Sequence, residues 1–177
     1  IVPALIIKNG QVAAVEVDMG IPFLDRGKIP MKGNKNDLVI AENIKVGDTE
    51  YTVTCVSTGN PHVVVFVDDI STVDITKLGP MFENHPLFPE KINTEFAQII
   101  NRKEVISLIW ERGAGNTLAC GTGASAVVVA GVMNNKLDRK AIVHLPGGDL
   151  SIEWQEADDH LMLTGSADFV YKGEILV

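Results

Sequence analysis

One stretch concentrates the groups that could do chemistry: ERGAGNTLACGTGASA, residues 111–126. It holds Cys120, glycines at 113, 115, 121 and 123, and the charged neighbours Glu111 and Arg112. A helix starting at Gly121 would open with amides that have no partner and carry partial positive charge. Glycines 121 and 123 would let an anion reach that backbone, so a carboxylate could rest on the amides of residues 121–123. The same field is expected to lower the pKa of a cysteine there, from a free value of about 8.5 toward neutrality. A reactive thiol beside a carboxylate nest suits chemistry at the carbon next to a carboxylate.

Four readings of Cys120 compete. It could be a buried structural residue beside a Gly-rich turn. Gly121-x-Gly123-x-x-Ala126 fits a dinucleotide fingerprint, but Asp138 comes too early for the acidic residue expected about 20 positions on. A metal site is disfavoured because Cys55, Cys120 and the four histidines lack ligand spacing. The fourth reading is a catalytic thiol, which as a nucleophile needs a His base and as a proton carrier needs a second acid/base group on the opposite face of the substrate. STGNPH, residues 57–62, is the second motif. Asn-Pro is an ordinary loop opener. Beside the Cys120 segment, however, His62 could bond a thiol and Asn60 could hold an amine or a carboxylate.

The elements that must position these residues can be read from the pattern. Ala4–Lys8 and Val12–Asp18 read as strands joined at Asn9-Gly10. GIPFLDRGKIPMKGNKND then reads as a linker or long loop and marks the best domain boundary. Strands are expected over 38–46, 51–56, 62–67, 92–100, 105–110, 141–145, 150–155, 161–164 and 167–176, with a short helix over 74–84. His62–Val67 is continuous and apolar, as in a strand buried on both faces. Residues 121–133 carry three consecutive valines, which favour a strand. Their length, small residues and uniformly apolar surface favour a buried helix, which Asn134-Asn135-Lys136 would stop. We read a helix, and the whole as α+β.

The net charge of −8 argues against nucleic acid or an anionic membrane as partner. An anionic small molecule stays open, since one Arg in a pocket reverses the local sign. No apolar run approaches the ~20 residues of a membrane span, and no signal-peptide pattern is present. Two cysteines make no disulfide framework, so free thiols and a cytoplasmic location are expected. The chain opens at Ile1 with strand-like residues, which suggests that a natural N-terminal part is missing.

GNPHVVVFVDD (59–69), NTEFAQI (93–99), ERGAGNTLACGTGASA (111–126) and, more weakly, LTGSADFVYKGEI together resemble the diaminopimelate epimerase family. In order and spacing they cover nearly the whole chain. CGTG alone also occurs in proline racemase-like proteins, but ERGAG with GNPH points to the epimerases. The resemblance implies two similar lobes, each a curved mixed or antiparallel sheet wrapped around a buried central helix, here 121–133. Residues 1–24 would be a remnant of the first lobe, 25–164 the second lobe, and 165–177 a returning strand packing on the first. It implies a two-base isomerase with no cofactor, pyridoxal phosphate included, and no metal. Such an enzyme interconverts LL- and meso-diaminopimelate for lysine and peptidoglycan precursor synthesis, and the family suggests a homodimer.

By the same resemblance Cys120 is one of two acid/base thiols, and Gly121 and Thr122 hold the α-carboxylate. Asn60 and Asn93 bind polar ends of the substrate. Glu111 binds an ammonium or tunes Cys120, Arg112 takes the distal carboxylate, and His62 assists the partner thiol. The family's other thiol lies in a CGNG-type motif that this sequence lacks, and Cys55, mid-strand in YTVTCVS, reads as a core residue. Ser166 and Ser125 depart from the family's usual proline and frequent cysteine without touching the mechanism. The expectation is an epimerase second lobe that is inactive alone. The alternatives are a racemase of another amino acid, such as proline, and a non-catalytic amino-acid-binding lobe.

Overall fold

The computed structural model describes residues 3–8, 11–168 and 171–175. Eleven strands form one sheet: β1 (Ala4–Lys8), β2 (Gln11–Asp18), β3 (Glu42–Val46), β4 (Thr49–Ser57), β5 (Pro61–Phe66), β6 (Asn93–Asn101), β7 (Glu104–Glu111), β8 (Gly115–Thr117), β9 (Lys140–Leu145), β10 (Gly148–Trp154) and β11 (Leu161–Gly165). Two helices join them, α1 (Ile75–Glu83) and α2 (Gly121–Met133). The spatial order is β1-β2-β11-β10-β9-β7-β6-β5-β4-β3, with β8 paired only to β7. Most neighbours are antiparallel, but β5–β6 and β7–β9 run parallel. Each parallel pair needs a crossover, and α1 and α2 supply them.

The sheet is curled around α2. That helix touches β4, β5, β6, β7, β9, β10 and β11. Seven flat strands at ~4.8 Å spacing would put the outer two about 29 Å apart, far beyond the reach of one helix ~10 Å wide. Contact at both ends of that series therefore requires the sheet to wrap. Residues 123–131 of α2 are buried without a break, which explains why the segment has no polar face. Cys120, in extended conformation, is its N-cap, and Asn134 and Asn135 end it, the latter with φ 56°.

Side-chain alternation sorts the central strands into two cores. Val56, Val64, Ala97 and Ile109 face α2. Val53, Cys55, Val63, Val65 and Phe96 face the other way, onto α1 and the segment before β3. β5 is thus buried on both faces, as its unbroken apolar run implied.

Several expectations need correction. Residues 20–37 form a long loop, as one of the two readings had it, but a packed one and no loose linker. Ile29 and Met31 are buried in the α1-side core, Phe23 pairs with Ser57, and Arg26 forms an ion pair with Glu42. The strand expected from Leu38 begins only at Glu42, after a left-handed Ala41 (φ 50°). No strand forms in the described part of 167–176, namely 167, 168 and 171–175. The hairpin turn at Asn9-Gly10 lies outside the described residues, although β1 and β2 pair as expected. α2 does lie between parallel strands, yet β9 ends at Leu145 with no acidic residue, so the dinucleotide fingerprint is not met.

Candidate active site

The topology brings one end of three strands to the start of α2. β5 and β6 run parallel and begin together, with His62 opposite Asn93. β7 is antiparallel to β6, so it ends there, with Trp110 opposite Thr94 and Glu111 beyond. The β7–β8 hairpin turns through Arg112-Gly113-Ala114, Gly113 and Gly115 both having positive φ, and delivers the chain to Cys120. Alternation then matters. Counting back from Val64, Ala97 and Ile109, the residues His62, Asn93, Glu95 and Glu111 lie on the α2 side of the sheet.

A continuous set of polar contacts links these residues to the thiol. Glu95 Oε1 lies 2.7 Å from His62 Nδ1, and His62 Nε2 lies 3.0 Å from Asn60 Oδ1. Asn60 Nδ2 donates to Thr122 Oγ1 at 3.2 Å, and that hydroxyl sits 3.2 Å from Cys120 Sγ. Asn93 braces the site from the side. Its Nδ2 donates to the Pro61 carbonyl at 2.8 Å, and its Oδ1 accepts the Arg112 amide at 2.8 Å. The amides of residues 121–123 precede the first intrahelical bond, which Ala124 makes to the Cys120 carbonyl.

The residues expected from the sequence therefore converge, with two refinements. The amide groups of Asn60 and Asn93 are both engaged within the protein, so here they hold the site together. Arg112 lies at the hairpin tip and donates through Nη1 to the Glu90 carbonyl at 2.8 Å. Cys55 is on the opposite face of the sheet, in the α1-side core, and cannot face Cys120.

One electrostatic expectation is reversed. Burial pushes the half-buried Cys120 thiol up rather than down, and Glu95 and Glu111 push the same way. The Thr122 hydroxyl and the Gly123 amide pull downward without offsetting them. The helix terminus acts as foreseen, but desolvation outweighs it.

Glu95 was missed. It is fully buried, and burial holds its carboxyl above the ordinary carboxylate range against the pull of His62. Its signal was present in NTEFAQI: a lone charge in an apolar strand, two residues from Asn93 and so on the same face. Among the described residues no cluster of three or more His, Cys, Asp or Glu could hold a metal ion.

This geometry has relatives. The fold matches a hydroxyproline epimerase from Agrobacterium vitis with a TM-score of 0.66 at 13% identity, over 93% of this chain and 52% of that one. It matches a PhzF-family phenazine biosynthesis protein from Bacillus anthracis with a TM-score of 0.60 at 12% identity, over 99% of this chain and 64% of that one. The chain thus has an α+β fold of the epimerase and racemase type.

The sequence narrows this further. The family model described as diaminopimelate epimerase matches residues 54–170. Diaminopimelate epimerase from Moorella thermoacetica is 49% identical over 172 residues, 97% of this chain and 61% of the relative. That from Rippkaea orientalis is 53% identical over 160 residues, 90% of this chain and 57% of the relative. The chain belongs to the diaminopimelate epimerase family. It spans about three-fifths of the length of these relatives.

Proposed function

We propose that this chain supplies one of two acid/base faces for epimerisation of LL- and meso-diaminopimelate, with Cys120 as the proton-carrying thiol. The observation that carries the reading is the thiol at the N-cap of a buried helix whose first amides make no intrahelical bond. A carboxylate seated on the amides of 121–123 puts its α-carbon near the sulfur. The developing charge on that carboxylate as the α-proton leaves is stabilised by the same amides, which are oriented before reaction. Burial raises the Cys120 thiol, which suits it to hold its proton and deliver it to the α-carbon once a base on the opposite face has removed the other proton.

Inversion needs a second group on the other face of the α-carbon. Cys55 points away, so we infer that this group, a cysteine by resemblance, comes from outside these 177 residues. The chain alone is then expected not to invert substrate. Glu111 and Arg112 are assigned to the distal ammonium and carboxylate, Arg112 by leaving the Glu90 carbonyl.

Substrate choice tests the reading. The chain is mixed in D2O with a polypeptide supplying the remaining two-fifths of a relative and offered diaminopimelate, proline and hydroxyproline in turn. The expected result is α-deuteration with inversion of diaminopimelate only. Turnover of proline instead would assign a different racemase, and binding without exchange would leave an amino-acid-binding lobe.

A further inference from the structure

The buried Glu95 carboxyl belongs to none of the roles above, and its Oε2 is buried without a hydrogen-bond partner. The hydrogen bonds beyond it fix its task. Asn60 donates to Thr122 through Nδ2, so its Oδ1 faces His62 and must accept. His62 Nε2 therefore carries a hydrogen. The other ring nitrogen, Nδ1, lies 2.7 Å from Glu95 Oε1. Two bare acceptors at that distance would repel, and two hydrogens would collide. One proton sits between them, whichever atom it is bonded to, and the pair is neutral overall. Thr122 Oγ1 already receives the Asn60 hydrogen, so its own hydroxyl hydrogen is free to point at Cys120 Sγ.

We propose that Glu95 is a positioning residue for the Cys120 thiol: by sharing one proton with His62 it sets the donor direction of the chain His62–Asn60–Thr122, so that the Cys120 sulfur receives a hydrogen at its end. Packing supports this. Glu95 is fixed against the start of α2, where a Cβ on Gly123 would lie 2.8 Å from Oε1 and 3.0 Å from Ile109 Cδ1. A side chain at position 123 would displace the carboxyl, so the close packing of Glu95 on α2 depends on this glycine. A bond donated to sulfur strengthens as the sulfur gains negative charge, so it serves the thiolate that forms after proton delivery.

The charged groups acting on Cys120 are Glu95 from β6 and Glu111 from β7, with His62 from β5 held against Glu95. Through its charge alone Glu95 raises Cys120, so removing that charge would make the thiol more acidic, except that the proton shared with His62 offsets it. The proposed role gives the opposite sign. The inference rests on the acid/base reading of Cys120 for its purpose, but its test reads the thiol and not turnover, so the two can fail separately.

The test is the pH dependence of Cys120 alkylation by iodoacetamide, followed peptide by peptide so that Cys55 does not interfere. Glu95→Gln, whose amide can still donate to Nδ1, should keep the wild-type midpoint. Glu95→Leu should raise it by about one pH unit, the order expected for one lost hydrogen bond to a thiolate. Thr122→Val should raise it similarly, with no further rise in the Glu95→Leu/Thr122→Val double variant. A midpoint that falls in both Glu95 variants, or does not move in Glu95→Leu, would overturn the proposal. Should Glu95→Leu not fold, ¹⁵N spectra of the wild-type chain decide. A protonated Nε2 on His62 is required between pH 6 and 9, and a bare Nε2 would reverse the chain and refute it.

Discussion

At Cys120 a helix terminus and a buried setting pull the thiol in opposite directions, and burial wins. The wild-type chain should therefore alkylate at Cys120 with a midpoint above the ordinary ~8.5, measured as iodoacetamide rate against pH. The motif revealed the amides and the glycines but not how far the sheet curls over them, which is why the sequence alone pointed to an acidic thiol. Cys55 makes the matching case for stability. Burial first, then Glu42, raises its thiol far above the usual range, more than Arg26 lowers it. The folded state keeps this proton after the unfolded chain loses it above about pH 8.5, so stability falls as pH rises past that point. The slope from this one group approaches 1.4 kcal/mol per pH unit. Urea unfolding from pH 7.5 to 10 should show a shallower alkaline decline in Cys55→Ala than in the wild type, although the variant starts from a lower stability.

Among the elements, α1 carries more of the site than its distance suggests. Glu83 at its end accepts from Trp110 Nε1 at 2.7 Å, Lys91 Nζ at 3.2 Å and the Gly113 amide at 3.3 Å, and so ties down the hairpin that presents Glu111 and Arg112. A Cβ on Gly79 would lie 2.4 Å from the Trp110 ring. Gly79→Ala should therefore lower stability by about 1–3 kcal/mol, a drop of several degrees in Tm by calorimetry, and loosen the Gly113 hairpin. At the other end of the sheet, His160 on the β10–β11 turn contacts Asp18 at 2.8 Å, where β2 joins β11. The hydrogen bond to Asp18 raises His160, and those from Gly20 and His160 lower Asp18. The stabilisation from His160 is full below its unfolded value of about 6.5 and is lost as pH rises through the folded one. An NMR titration should find a raised His160 midpoint that returns toward the ordinary value in Asp18→Asn. The two helices and ten of the strands were legible from periodicity and caps, with α2 matched end to end. The three-residue β8 was not, because Gly-Asn-Thr has no strand signature and exists only by pairing to β7. The packed path of 20–37 was hidden for a similar reason: Gly, Pro and Lys mask the spaced apolar residues Ile29 and Met31 that bury it.

For the molecule as a whole, one sheet wrapped on one helix concentrates its reactive groups at a single end, and the thiol there remains half-buried with exposed Leu118 at its side. The convergence of Asn60, His62, Asn93, Glu111 and Cys120 was foreseeable from motifs. That of Glu95 required knowing which strands are neighbours. The central claim is that this surface is one half of a two-sided proton-transfer site. The most direct test is inversion and α-deuteration of LL-diaminopimelate in D2O. It compares the chain alone, the chain with a first-lobe polypeptide carrying a CGNG-type cysteine, and the same mixture with Cys120→Ala. The account predicts deuteration with inversion only in the wild-type mixture, and a loss of about 10²–10⁴-fold or more in the Cys120→Ala mixture. Inversion by the chain alone, or an unchanged rate in the Cys120→Ala mixture, would contradict it.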